Sequence, residues 1–216
     1  VTRSNAPLPA YRLAVVRQLM QDELDPTVTR AWQRTLTRLH DCGAKIAEID
    51  LPELGELPAL MAHGGFAGAE SFAYHRKALE RSADQFDPRV AARIRRGAGM
   101  GAAEYIDLIH ARADWIARIG QRLQSFDAVL SPTVPLVAPP IRDIAPGVER
   151  DDAFFRVNGL LLRNTGVVNM LDGCALSLPC HLPDELPVGL MVWHGAMQDD
   201  VVLNIGLQIE RLLHAG

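Results

Sequence analysis

Tyr11 to Leu51 constrains the fold most, because it spells strand, helix, strand in one short run. YRLAVV (Tyr11 to Val16) is brief, apolar and β-branched at its end, as a buried strand is. Asp25-Pro26 then supplies an N-cap and a first-turn proline. Val28, Trp32, Leu36 and Leu39 recur at helical spacing, and Gly43 stands at the C′ position. A helix over 26–42 follows. From Lys45 to Leu51 the pattern alternates, with Ala47, Ile49 and Leu51 on one face, until Pro52 stops it. Such a unit belongs to the α/β class, in which helices pack onto a sheet.

The remaining sequence repeats these signals. Residues 54–82 are Ala-rich and helical in propensity, but Gly64-Gly65 and Gly68 divide them into two pieces. Asp87-Pro88 caps a short helix that reaches Gly97. Ala102 to Leu123 carries Tyr105, Leu108, Ile109, Trp115, Ile116, Ile119 and Leu123 on one face and is the longest predicted helix. FDAVLSP (Phe126 to Pro132) reads as a buried strand, followed by a proline-rich connection through Pro146. A helix is expected over 152–163. CALSLP and PVGLMVW are two strands joined by the loop from His181 to Glu185, and Asp199-Asp200 opens a last helix whose Val201, Ile205, Ile209 and Leu212 point inward. The expectation is a single α/β domain over 1–216, a mixed β-sheet flanked by helices.

Composition narrows the function. With 22 Lys and Arg against 26 Asp and Glu the net charge is −4, which offers no global footprint for nucleic acid or an anionic membrane. Three cysteines, without a CxxC pair or His at ligand spacing, imply neither a disulfide framework nor a zinc site and fit a reducing cytoplasm. Leu160 to Leu171 is the most apolar stretch, yet Arg163, Asn164 and Asn169 interrupt it, so no membrane span is expected. The nucleophile inventory is poor. There are six serines and none sits in a GxSxG elbow. Cys174 or Ser177 with a remote histidine would make an independent hydrolase; a small apolar core residue and a strand serine are the plainer readings. Gly97 to Gly101 follows a helix and lacks the Lys-Ser/Thr of a P-loop, so it reads as a connector. Arg93, Arg95 and Arg96 suit either a bound carboxylate or phosphate or, more simply, a solvated helix end.

Four segments, in order, resemble the C-terminal half of the amidase signature family. They are ARIRRG (Ala92 to Gly97) with the helix after it, FDAVLSPTVPLVAPP (Phe126 to Pro140), RNTGVVNMLDGCALSLPC (Arg163 to Cys180) and LPVGLMVWHGAMQDDVVLNIGLQIE (Leu186 to Glu210). The resemblance implies a carboxamide C–N hydrolase without metal or organic cofactor. Its catalysis rests on a lysine and two serines, one in a cis peptide, with the nucleophile inside a Gly-Ser-Ser-Gly-Gly-rich loop. Here the only lysines are Lys45 and Lys77, and no Ser-Ser pair occurs. The chain is therefore expected to be a C-terminal portion, inactive alone, whose partners are a small-molecule amide and the missing N-terminal half. The start at Val1 without Met fits this expectation. So does self-association through an apolar face that the other half would cover.

The resemblance also implies a substrate-pocket wall. Arg93 stands where some members bind a substrate carboxylate, Thr133 follows a strand in the S-P-T-x-P turn, and Asn169 is placed to tie loops together near the site. A structural ion pair, a strand-ending turn and a buried amide are the competing accounts. Asp172 and Cys174 replace the commoner glycine and proline, as in branches near allophanate hydrolases. Leu162 falls where the catalytic subunits of tRNA-dependent amidotransferases tend to carry an acid. Both departures favour a stand-alone amidase over the amidotransferase alternative.

Overall fold

The strand signals assemble into a five-stranded mixed sheet of order β2-β1-β3-β5-β4 in a computed structural model that describes residues 6–214. Val1, and the last two residues toward which the final helix was expected to run, lie outside the described residues. The strands are β1 (Arg12–Val16), β2 (Lys45–Ile49), β3 (Ala128–Pro132), β4 (Cys174–Pro179) and β5 (Gly189–His194). β1 pairs in parallel with both β2 and β3, whereas β5 runs antiparallel to β3 and β4. The helices are α1 (Pro26–Asp41), α2 (Leu57–Leu60), α3 (Gly65–Ser82), α4 (Pro88–Arg96), α5 (Ala102–Leu123), α6 (Ile141–Ile144), α7 (Asp151–Met170) and α8 (Asp199–His214). None of the described helices is long and apolar enough to cross a membrane.

The chain divides into two compact units, Val1–Leu54 with Arg118–Gly216, and Gly55–Ala117. The first holds the sheet. Its main core packs Leu13, Val15, Leu130, Leu190 and Val192 against Ala31, Trp32 and Leu39 of α1 and Val202, Ile205 and Ile209 of α8. The other sheet face carries Ala14, Val16, Val129, Ser131, Met191 and Trp193, all buried. A β-strand alternates faces residue by residue, so the central strands are apolar on both sides and the sheet is a middle layer. Asp25 caps α1 by accepting from the Thr27 N–H at 2.7 Å. A bidentate Arg34–Glu185 pair (2.7 and 3.2 Å) fastens α1 to the β4–β5 loop.

The second unit is helical. Leu79, Ala91 and Ile94 form its small core with Phe72 and Phe86, and Asp87 caps α4 through the Arg89 and Val90 N–H groups. Gly68 lies inside α3 rather than interrupting it, and a small residue is needed there because a Cβ would meet the carbonyl of His63, just before the helix, at 2.6 Å.

Two expectations are revised. The helix over 152–163 continues to Met170, since Val167, Val168 and Met170 are buried and repay its extension. In β2, Ala47 is exposed and Ile49 half-buried, whereas Ile46 packs against the core. The register explains this, because Ile46 sits opposite Leu13 and shares its covered face on an edge strand.

His194 ends β5 half-buried, its Nδ1 accepting from the Gly195 N–H at 2.8 Å. Burial lowers its pKa against the opposing pull of the Phe126 and Leu123 backbone and of Asp127. An unfolded histidine titrates near about 6.5. As pH falls through that value the unfolded chain takes up the proton first, so this contribution to stability is complete above it and shrinks until the folded pKa is reached. Urea midpoints should fall over that window, and His194→Gln should flatten the fall; an unchanged pH profile in the variant would assign the loss to other groups.

Candidate functional site at the carboxyl ends of the parallel strands

β1 and β3 are adjacent parallel strands, and open α/β sheets place ligands beyond the carboxyl ends of such strands. The loop after β1 turns sharply, with Leu19 and Glu23 at φ 60 and 49. The loop after β3 is the proline-rich SPTVPLVAPP run. One side chain joins them. Asn164, in the middle of α7 and fully buried, donates from Nδ2 to the Met20 carbonyl at 2.9 Å and to the Pro132 carbonyl at 2.8 Å. Its Oδ1 accepts from Arg163 Nε at 3.1 Å. Burial lowers the Arg163 pKa, with Asp22 and Glu23 of the β1 loop acting in the opposite direction. This Arg-Asn pair fixes the two loops relative to each other.

Thr133 begins the β3 loop. Its N–H donates to the Gly189 carbonyl at 2.8 Å, and its hydroxyl lies 2.6 Å from Ser177 Oγ on β4. A Cβ on Gly189 would sit 2.6 Å from both hydroxyl oxygens, so only glycine at this point of β5 lets them meet. Ser177 is exposed and Thr133 half-buried. Ser131, on the same face of β3, is fully buried, and its Oγ has no hydrogen-bond partner among the described residues.

Of the other expected site residues, Asn169 is exposed on α7, and Asn164, five residues earlier, is a buried amide that ties two loops together. A polar amide inside the most apolar stretch of the chain was the available signal, since buried amides are kept where they satisfy backbone groups. Asp172 is the left-handed residue that ends α7, with φ 57. The Gly173 N–H returns to the Val168 carbonyl at 2.9 Å and the Asp172 N–H to Asn169 at 3.3 Å, which is a Schellman closure. The glycine stands at 173 instead because a Cβ there would run into the His194 carbonyl.

Arg93 is exposed on α4 in the helical unit. With Arg96 one turn on, it lines a cleft of about 460 Å³ whose walls include Met61, Ala67, Ser71 and Val90. No carboxylate is among the described residues lining it.

An independent thiol or serine hydrolase finds no support in these contacts. Burial raises the pKa of both Cys174 and Cys180. Cys174 Sγ approaches the Gly195 carbonyl at 3.5 Å, and the Ser177 hydroxyl meets Thr133 rather than a histidine. Among the described residues no group of three or more His, Cys, Asp and Glu side chains could hold a metal ion.

Comparison with known proteins agrees with this geometry. The family model described as Amidase matches residues 3–203. 2-Amino-5-chloromuconic acid deaminase of Comamonas testosteroni is 27% identical over 95% of this chain and 44% of its own length. The A-type component of the glutamyl-tRNA(Gln) amidotransferase of Mycobacterium ulcerans is 30% identical over 94% of this chain and 45% of its own. Among solved structures, the allophanate hydrolase of Kluyveromyces lactis superposes with a TM-score of 0.81 at 21% identity, over 99% of this chain and 34% of that one. A crystal structure described as an amidase gives 0.74 at 25% identity, over 95% and 45%. The chain thus spans a little under half the length of these curated relatives.

Proposed function

Because this chain belongs to the amidase family, we propose that it is the wall-forming half of an enzyme that hydrolyses the C–N bond of small carboxamides. The reading is carried by one observation: the carboxyl ends of the parallel strands present ordered hydroxyls and fixed loops, without a base-activated nucleophile. The lysine and paired serines that the family's chemistry needs are absent from the sequence. A preceding segment of the same fold would supply them, together with the oxyanion donors. The partners of this half are then that segment and a small amide substrate, in a reducing cytoplasm suited to three unpaired cysteines. β4 ends the sheet among the described residues, and its unpaired edge is where the chain by itself would self-associate.

The substrate we favour carries a carboxylate. Arg93 and Arg96 bring two guanidinium groups to the lining of one cleft. The name of the Comamonas relative likewise specifies an acid as its substrate. A stand-alone amidase is preferred to the amidotransferase component, because Leu162 occupies the position expected to be acidic there.

The polypeptide that includes the preceding segment is expected to release ammonia from glutaramate with a lower KM than from the uncharged butyramide. Arg93→Ala should raise the glutaramate KM about tenfold or more, leaving butyramide unchanged. Equal effects on both amides would remove Arg93 from carboxylate recognition.

A further inference from the structure

We propose that Thr133 and Ser177 act together as a substrate-binding hydroxyl pair that donates a hydrogen bond to an accepting oxygen of the amide substrate; this rests on the amide-hydrolase reading above. Three strands converge to build it. In the β3–β5–β4 register, Ser131 and Ser177 both lie opposite Met191 on one sheet face. Thr133, next to Gly189, meets Ser177 diagonally across the glycine. At 2.6 Å one hydroxyl donates its proton to the oxygen of the other. A hydroxyl has one donor and two acceptor positions, so the pair retains one uncommitted proton to donate.

Two further features separate this pair from an ordinary cross-strand contact. It lies where the sheet face changes from buried to open: Val129, Ser131, Met191 and Trp193 are buried, whereas Ala175, Ser177 and Pro179 on β4 are exposed. The small side chains of Ala175 and Ser177 and the bare Gly189 add little bulk to this part of the sheet face. Second, the Thr133 loop is held by Asn164, whose bond to Pro132 lies one residue from the hydroxyl. A donor that must meet a ligand oxygen within hydrogen-bond distance needs such support. Neither hydroxyl has a basic partner among the described residues, so the pair binds rather than transfers a proton.

In the polypeptide with the preceding segment, Thr133→Val and Ser177→Ala should each raise the KM for glutaramate about two- to tenfold with kcat held within about twofold. Thr133→Ser, which keeps the hydroxyl, should restore the wild-type KM. A lowered thermal midpoint with unchanged KM would reduce the pair to a strand staple, and a kcat loss at constant KM would assign it to the catalytic segment. Either result overturns the proposal. Saturation-transfer NMR with butyramide, which has no carboxylate for Arg93, and this chain alone gives a readout that needs no turnover. Transfer to wild type that is lost in the Thr133→Val, Ser177→Ala double variant supports the pair, and equal or no transfer contradicts it. If wild type fails to turn over any amide yet shows this difference, the hydrolase reading fails and the binding pair stands.

Discussion

Asn164→Leu is expected to destabilise the chain by about 2–5 kcal/mol, because two buried carbonyls lose an amide donor at once. Leucine nearly matches asparagine in size, so the cost reports polarity rather than a cavity. The Met20 and Pro132 carbonyls lie under loops that water does not reach, with both residues buried. Asn164→Asp should be no better, since it trades the donor for a carboxylate that burial disfavours. Urea denaturation of the two variants checks this, and a midpoint for Asn164→Leu equal to that of the wild type would refute the clamp.

Gly97→Ala should cost about 3 kcal/mol or more in the helical unit, although alanine is ordinarily the better helix residue by about 1 kcal/mol. Gly97 follows α4 with an ordinary helical φ of −66, so conformational freedom is not why glycine stands there. The reason is proximity: a Cβ would run into the Gly68 carbonyl of α3 and the Ala69 amide. Those are backbone atoms, which no rotamer change can move aside. Gly159 in α7 has nothing near its missing Cβ, and Gly159→Ala should gain up to about 1 kcal/mol. Hydrogen exchange in Gly97→Ala should accelerate over residues 55–117. Unchanged protection there would mean the two helices separate without penalty.

Particular residues show how far the sequence can be read. Asp25-Pro26 and Asp87-Pro88 mark the starts of α1 and α4 because capping is local: the carboxylate bonds N–H groups two or three residues away. The β-strands are legible for the same reason, since an apolar run needs no partner to be recognised. The end of α7 is not legible. Asn164, Gly166 and Asn169 lower helix propensity, and what sustains the helix is burial of Val167, Val168 and Met170, a tertiary fact. The burial of β2 depends in the same way on its register with β1. At the candidate site, Thr133 stood out as the residue after a proline-bounded strand. Its partner Ser177 lies 44 positions away, and the glycine that admits both is on a third strand. No spacing rule connects them.

Ammonia release from glutaramate, measured for this chain by itself and for the polypeptide joined to its preceding segment, tests the assignment of this half as a wall without a nucleophile. The joined polypeptide should turn over, and this chain alone should not exceed the buffer rate. Turnover by this chain alone, abolished by Ser177→Ala or Cys174→Ala, would contradict it.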